Sequence, residues 1–192
     1  MASRGYCLLE LLFAGSIGLN LAAIAIPKLL VSLDDQRAAA AIRYVATQCA
    51  RVRMEAITRG ADVALRFTSD ANGYLYAVYV DGNGDGVRSR DIQRGIDSEL
   101  LAGERLSTHF PGVSFAVPAG LPGVDGGGPT DGDPLKLGSG NLLSYSAQGT
   151  SSSGSLYVRG RNGAQYVIRA YGETGKTRVL KFDGRVRQWV PS

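Results

Sequence analysis

An α+β fold, with one long N-terminal helix packed on an antiparallel β-rich head, is predicted by three features of this 192-residue chain. An almost uninterrupted apolar run opens it. An amphipathic stretch with a helical repeat follows, and after Gly60 the apolar residues recur at every second position instead. The composition is globular: 44% hydrophobic, 20% charged, with 26 glycines to serve many turns. A chain of this length is expected to form one domain with a real core.

The formal net charge of +4 is unevenly spread. From Ser151 to the C terminus eight basic residues face two acidic ones, so the basic character belongs to the last quarter and the remainder is slightly acidic. Of the two cysteines, Cys7 and Cys49 fall on the same expected helix, about 60 Å apart along its axis. They cannot bridge within one chain, so the fold must rest on its core.

The first helix half is expected over residues 6–33. Between Leu11 and Ile26 the only strongly polar residues are Ser16 and Asn20, and with Tyr6–Leu9 in front and Leu29–Leu33 behind, the stretch can cross about 30 Å of hydrocarbon. Arg4 is the sole charge ahead of it, which favours an N terminus left in the cytoplasm. Glu10 is the anomaly. A secretory signal peptide could be cut after Ala23-x-Ala25 and release a soluble β-domain protein, but its apolar region would carry no acid. A plain membrane anchor explains the length and leaves a carboxylate that costs on the order of 3 kcal/mol in the bilayer. In a third reading the chain is cut after Gly5. A new α-ammonium then appears on Tyr6, one helical turn from Glu10, and the carboxylate neutralises it within the chain or on a neighbour.

The stretch "RGYCLLELL" resembles the type IV prepilin signal: a leader ending in Arg-Gly (residues 1–5), an aromatic at the new N terminus, and glutamate as the fifth mature residue. The resemblance implies cleavage between Gly5 and Tyr6 by a prepilin peptidase, N-methylation of Tyr6, and pairing of Glu10 with the N terminus of an adjacent subunit. Pro27 stands where pilins commonly carry a helix-kinking proline. Tyr6 departs from the commoner phenylalanine.

From Asp34 to Arg59 the helix is expected to become amphipathic. Ile42, Val45, Cys49, Val52 and Ala56 mark one face, most of the arginines lie elsewhere, and Gly60 is a natural stop. Asp34 and Asp35 read as the solvated boundary where the helix leaves the membrane. Cys49 reads as a buried small hydrophobe. The stretch "CARVRMEAITRGADVALRF" is similar to the GspH/FimT branch of pilin-like proteins, and the resemblance covers residues 4 to 67 best. It implies a minor pseudopilin of a type II secretion system or a minor pilin of a type IV pilus. The implied partners are other pilin or pseudopilin subunits, the prepilin peptidase, an inner-membrane assembly platform and the inner membrane itself, with the head in the periplasm.

The head is expected over residues 60–192. Strands are predicted at "DVALRF", "YLYAVYV", "VSFAV", "LLSYSA", "SLYVR", "QYVIRAY", "TRVLKF" and "RVRQWV", with tight turns that demand antiparallel neighbours. Residues 118–134, rich in Gly and Pro, read as a loop or linker.

Four motifs bear on chemistry. "AYGETGKT" loosely resembles a phosphate-binding loop, but the sequence after it alternates like a strand, so a hairpin is expected. In "DGNGDGVRSRDI", Asp81, Asn83 and Asp85 present oxygens at alternate positions, Val87 offers its carbonyl and Asp91 stands near the closing position, so a calcium site is weighed against a simple acidic turn. His109, the single histidine, has no partner at a catalytic or metal-binding spacing, and neither HExxH nor GxSxG occurs; a structural or exposed role is expected. Finally, Arg185 and Arg187 are expected on one face of a strand, with Lys176, Arg178 and Lys181 on the preceding hairpin. This is either a solvated, aggregation-resistant edge or a phosphate-binding stripe for DNA. Gly184-Arg185-Val186-Arg187 resembles a motif of DNA-capturing FimT-like minor pilins.

Overall fold

The computed structural model describes residues 7–126, 128–138 and 140–192. Helix α1 runs unbroken from Leu8 to Arg59, through Pro27. Its end is a glycine stop. Gly60 takes a left-handed backbone (φ 64°), its N–H donates to the Ile57 carbonyl at 3.3 Å, and the Ala61 N–H donates to the Ala56 carbonyl at 3.3 Å.

The head contributes β1 (Val63–Asp70), β2 (Gly73–Val80), α2 (Ser89–Gln93), β3 (Ser98–Arg105), α3 (Leu106–His109), β4 (Ser114–Phe115), β5 (Leu135–Lys136), β6 (Leu142–Tyr145), β7 (Gly154–Arg159), β8 (Gln165–Tyr171), β9 (Lys176–Asp183) and β10 (Gln188–Pro191). They form two antiparallel sheets, ordered β3-β2-β1-β6 and β10-β9-β8-β7-β4, with β5 pairing β7. The tight links behave as the turn chemistry requires. Asp70 pairs Gly73 across β1–β2, and Tyr171 pairs Lys176 across β8–β9, so "GETGK" is a hairpin turn.

Both sheets lay one face on the second half of α1. Ala38, Ala41, Ile42, Val45, Cys49, Val52 and Ala56 meet Val63, Leu65 and Phe67 of β1, Leu143 and Tyr145 of β6, Leu156 and Val158 of β7, and Tyr166, Ile168 and Ala170 of β8 in one core. Period-two alternation in the strands and the three-four step in the helix thus interlock. Each outer sheet face is covered by an irregular segment. Val87 and Ile92 cap Ala64 and Leu142 on the first sheet. On the second, Val117, Leu121 and Val124 cover Tyr157, Val167 and Leu180, and the Trp189 Nε1–H donates to the Pro122 carbonyl at 2.8 Å. The loop over 118–134 is therefore a cover rather than a linker. Thr130 pins it through three bonds: its N–H to Leu121, its hydroxyl to Pro118, and its carbonyl from Gly120.

Three sequence expectations are corrected. β3 lies in a segment not expected to be a strand, because its half-exposed edge position tolerates charge and glycine and so lacks alternation. "VSFAV" forms only the two-residue β4, because Val117 turns away to join the outer cover. In "RVRQWV" the strand starts only at Gln188. Arg185 and Arg187 lie in the turn between β9 and β10, where the Arg185 N–H donates to Asp183 Oδ1 at 2.8 Å and Arg187 takes φ 51°.

Candidate assembly site

Gly5 and Tyr6 lie outside the described residues. The helix start beside them shows what Glu10 does within one chain. Cys7 is the N-cap residue. Its N–H donates to Glu10 Oε2 at 3.2 Å, and its carbonyl receives the Glu10 N–H at 3.0 Å. The carboxylate sits at the positive end of the helix dipole, where an anion is stabilised. Glu10 Oε1 makes no hydrogen bond to any described residue, so half the group stays open to a further donor.

Between Leu11 and Ile26 both polar side chains of α1 are satisfied within the helix. Ser16 Oγ donates to the Phe13 carbonyl at 2.8 Å, and Asn20 Nδ2 donates to the Ser16 carbonyl at 2.8 Å. Satisfying such groups within the helix is what a hydrocarbon surrounding demands. Around them Leu8, Leu9, Leu12, Phe13, Leu19 and Leu21 are each more than 60% exposed. The most apolar window of α1 has a mean hydropathy of 1.9, and none of it is buried. Pro27 lacks an N–H, so the Ala23 carbonyl loses its helical donor there. At the exit from this half, Asp34 accepts from Arg37 Nη1 at 3.0 Å.

The acidic loop closes on itself. Asp81 accepts the N–H groups of Asn83, Gly84 and Gly86 at 3.0, 2.9 and 2.8 Å. Burial pushes its carboxyl up, but these donors outweigh it and hold the group below the usual aspartate value. Asp85 pairs with Arg88 at 2.6 Å, and Asp91, itself buried, lies 3.4 Å from Arg90 Nε. Asp97, which the sequence reading passed over, pins the loop by accepting from the Gly82 and Arg88 N–H groups at 3.2 and 2.9 Å. Among the described residues no three acidic, histidine or cysteine side chains gather to hold a metal.

The five basic residues do not share one surface. Lys176 and Arg178 point from β9 to the face away from α1, as Leu180 does. Lys181 is on the α1 side, with its Nζ 5.7 Å from the centre of the Tyr166 ring. Arg185 meets Lys181 in a depression with Phe182, Asp183 and Val190, whereas Arg187 lies by Gly120, Pro122 and Pro129.

No family model matches the chain, and no solved structure matches it. The chain is 44% identical over 84 residues to the pilin-like protein PilA1 of Thermus thermophilus, covering 43% of this chain and 51% of that protein. It thus spans about half the length of the curated relative it matches. The similarity supports a type IV pilin-like family. The uncovered apolar helix is consistent with membrane anchoring.

One cluster escaped the sequence reading because its members are far apart in the chain. Glu104 on β3 accepts from Tyr44 Oη (2.8 Å) on α1 and Tyr76 Oη (2.5 Å) on β2, and its other oxygen lies 2.9 Å from His109 Nε2. Burial pushes the Glu104 carboxyl up, but the bonds from Tyr76, His109 and Tyr44 together outweigh this and hold it below its ordinary value. Burial, aided by the bond to Glu104, pushes the Tyr76 phenol up. His109 is thus a half-exposed clasp between head and helix, its ring 5.4 Å from that of Tyr44. Cys49 is fully buried, and burial pushes its thiol up to about 12, which leaves it unreactive.

Proposed function

We propose that this chain is a minor pilin or pseudopilin of the GspH/FimT type, cut between Gly5 and Tyr6, methylated on Tyr6, and assembled into a short periplasmic fibre. The observation that carries the reading is the uncovered apolar half of α1, where Ser16 and Asn20 are satisfied within the helix while Glu10 Oε1 makes no hydrogen bond to a described residue. Bilayer hydrocarbon covers that half in the precursor, and neighbouring helices cover it in the fibre. The amine of a neighbouring Tyr6 takes the open oxygen of Glu10, so a carboxylate that is costly in lipid becomes a register mark for assembly. The work is structural. The chain is a substrate of the prepilin peptidase, with an inner-membrane platform driving its extraction.

Glu10→Gln tests this. The variant retains a cap for Cys7 but cannot neutralise an ammonium, so it should stay in the membrane and be lost from sheared fibres. Normal incorporation would overturn the proposal.

Capture of DNA is a second reading, favoured by the meeting of Lys181 and Arg185 in one depression. The full chain in detergent should then bind duplex DNA with a steep salt dependence that Arg185→Ala with Arg187→Ala removes. An absence of binding at low salt refutes it.

A further inference from the structure

The turn between β7 and β8 is laid against helix α1 where the apolar half ends. Asn162 Nδ2 donates to the Val31 carbonyl at 3.2 Å. A Cβ placed on Gly160 would stand 2.8 Å from the Ala38 Cβ, so the turn backbone rests directly on the helix. The turn is closed by bonds from the Gly160 N–H to the Ala164 carbonyl and from the Gly163 N–H to the Gly160 carbonyl, both 2.9 Å. Val31 and Ala38, seven residues apart, share one side of α1.

Val31 belongs to the exposed apolar half, about 5 Å along the axis before Asp34. The turn therefore reaches down to the level where the helix passes from hydrocarbon to water. Arg159, Arg161 and Asn162 are exposed there, and neither arginine forms an ion pair with a described residue. The Arg161 side chain is laid along the neighbouring loop, where a Cβ on Gly112 would stand 2.8 Å from its Nε. Lys28 sits three residues before Val31, one turn further along the same side. The nearest acid on the helix, Asp34, is engaged by Arg37.

We propose that this turn is a membrane-surface contact, in which Arg159 and Arg161 bind the phosphates of anionic phospholipids around the inserted helix. The inference rests on the reading of residues 8–33 as a membrane span and adds a partner for the head. Guanidinium groups bond phosphate oxygens in pairs, and basic residues at a membrane surface are attracted to anionic headgroups. The turn contacts α1 on one side only, so lipid binding there fixes how the head stands on the bilayer before assembly.

The test is hydrogen exchange of the full chain in nanodiscs of phosphatidylglycerol or of phosphatidylcholine. Exchange in the 159–164 segment should be about tenfold slower in phosphatidylglycerol at low salt, and the slowing should vanish in high salt. The double variant Arg159→Gln/Arg161→Gln should lose it at an unchanged melting temperature, and Lys176→Gln, at the opposite end of β8, should keep it. Equal exchange in the two lipids, from a chain that has inserted, overturns the lipid contact and leaves the membrane reading standing. Slowing that survives in the double variant also overturns it. A chain that fails to enter either nanodisc sinks both.

Discussion

From Ala38 to Ala56, helix α1 buries a stripe of alanine, isoleucine, valine and cysteine; from Leu8 to Leu33 it carries larger apolar side chains, and none of them is buried. The small residues stand where the backbone of the head approaches closely, as the turn at Gly160 does against Ala38. The leucines and phenylalanine stand where the described residues provide no cover. A water-soluble protein places its most apolar surface inside, and this helix reverses that rule along its own length. One half is solved by this chain's head. The other half is written for a surrounding the chain does not contain.

Truncations on the two halves should break the symmetry most visibly. Ile42→Ala should destabilise the head by about 2–5 kcal/mol, while Leu19→Ala should leave head stability within about 0.5 kcal/mol, both read by urea unfolding in detergent micelles. Equal losses would mean that the first half packs on the head after all. A sharper probe lies where the far end of the helix meets two turns. Arg53 Nε donates to the Gly149 carbonyl at 2.8 Å, and a Cβ on Gly175 (φ 61°) would stand 2.1 Å from that oxygen. Gly175→Ala should therefore cost about 1–3 kcal/mol. Gly60→Ala has a similar φ and nothing within 4 Å, so it should cost only about 1 kcal/mol for backbone strain.

The helix was legible in the sequence over its whole length, because both halves obey a periodic or continuous apolar rule that needs no partner. Most head strands were legible for the same reason. β3 was not, since an edge strand with Gly103 and Glu104 owes its place to pairing with β2. The Glu104 cluster was also hidden: Tyr44, Tyr76 and His109 converge only once α1, β2 and α3 are placed. Arg185 and Arg187 misled because alternation alone cannot tell a strand from a four-residue turn capped by Asp183. Glu10 was legible as an anomaly, and the structure adds its bond to the Cys7 N–H.

Smaller effects test the seam between head and helix. Because the folded pKa of Glu104 is held below the ordinary 4.5, its contribution to stability is complete above that value and is lost as pH falls through the lowered pKa. Glu104→Gln should flatten the acid limb of the stability–pH curve, measured by thermal melts; an unchanged limb would remove the cluster from the account. The smallest effect is expected at the acidic loop. Three backbone N–H groups already hold Asp81, so a chelator should leave the melting temperature unchanged, and a clear fall would favour the calcium reading.

The central claim is that an ammonium on Tyr6, created by cleavage, is what Glu10 awaits. Intact-mass measurement of the protein extracted from membranes of cells carrying a prepilin peptidase tests it directly. The account predicts a chain that begins at methylated Tyr6. A chain beginning after Ala25, or one still carrying its first five residues, would contradict it.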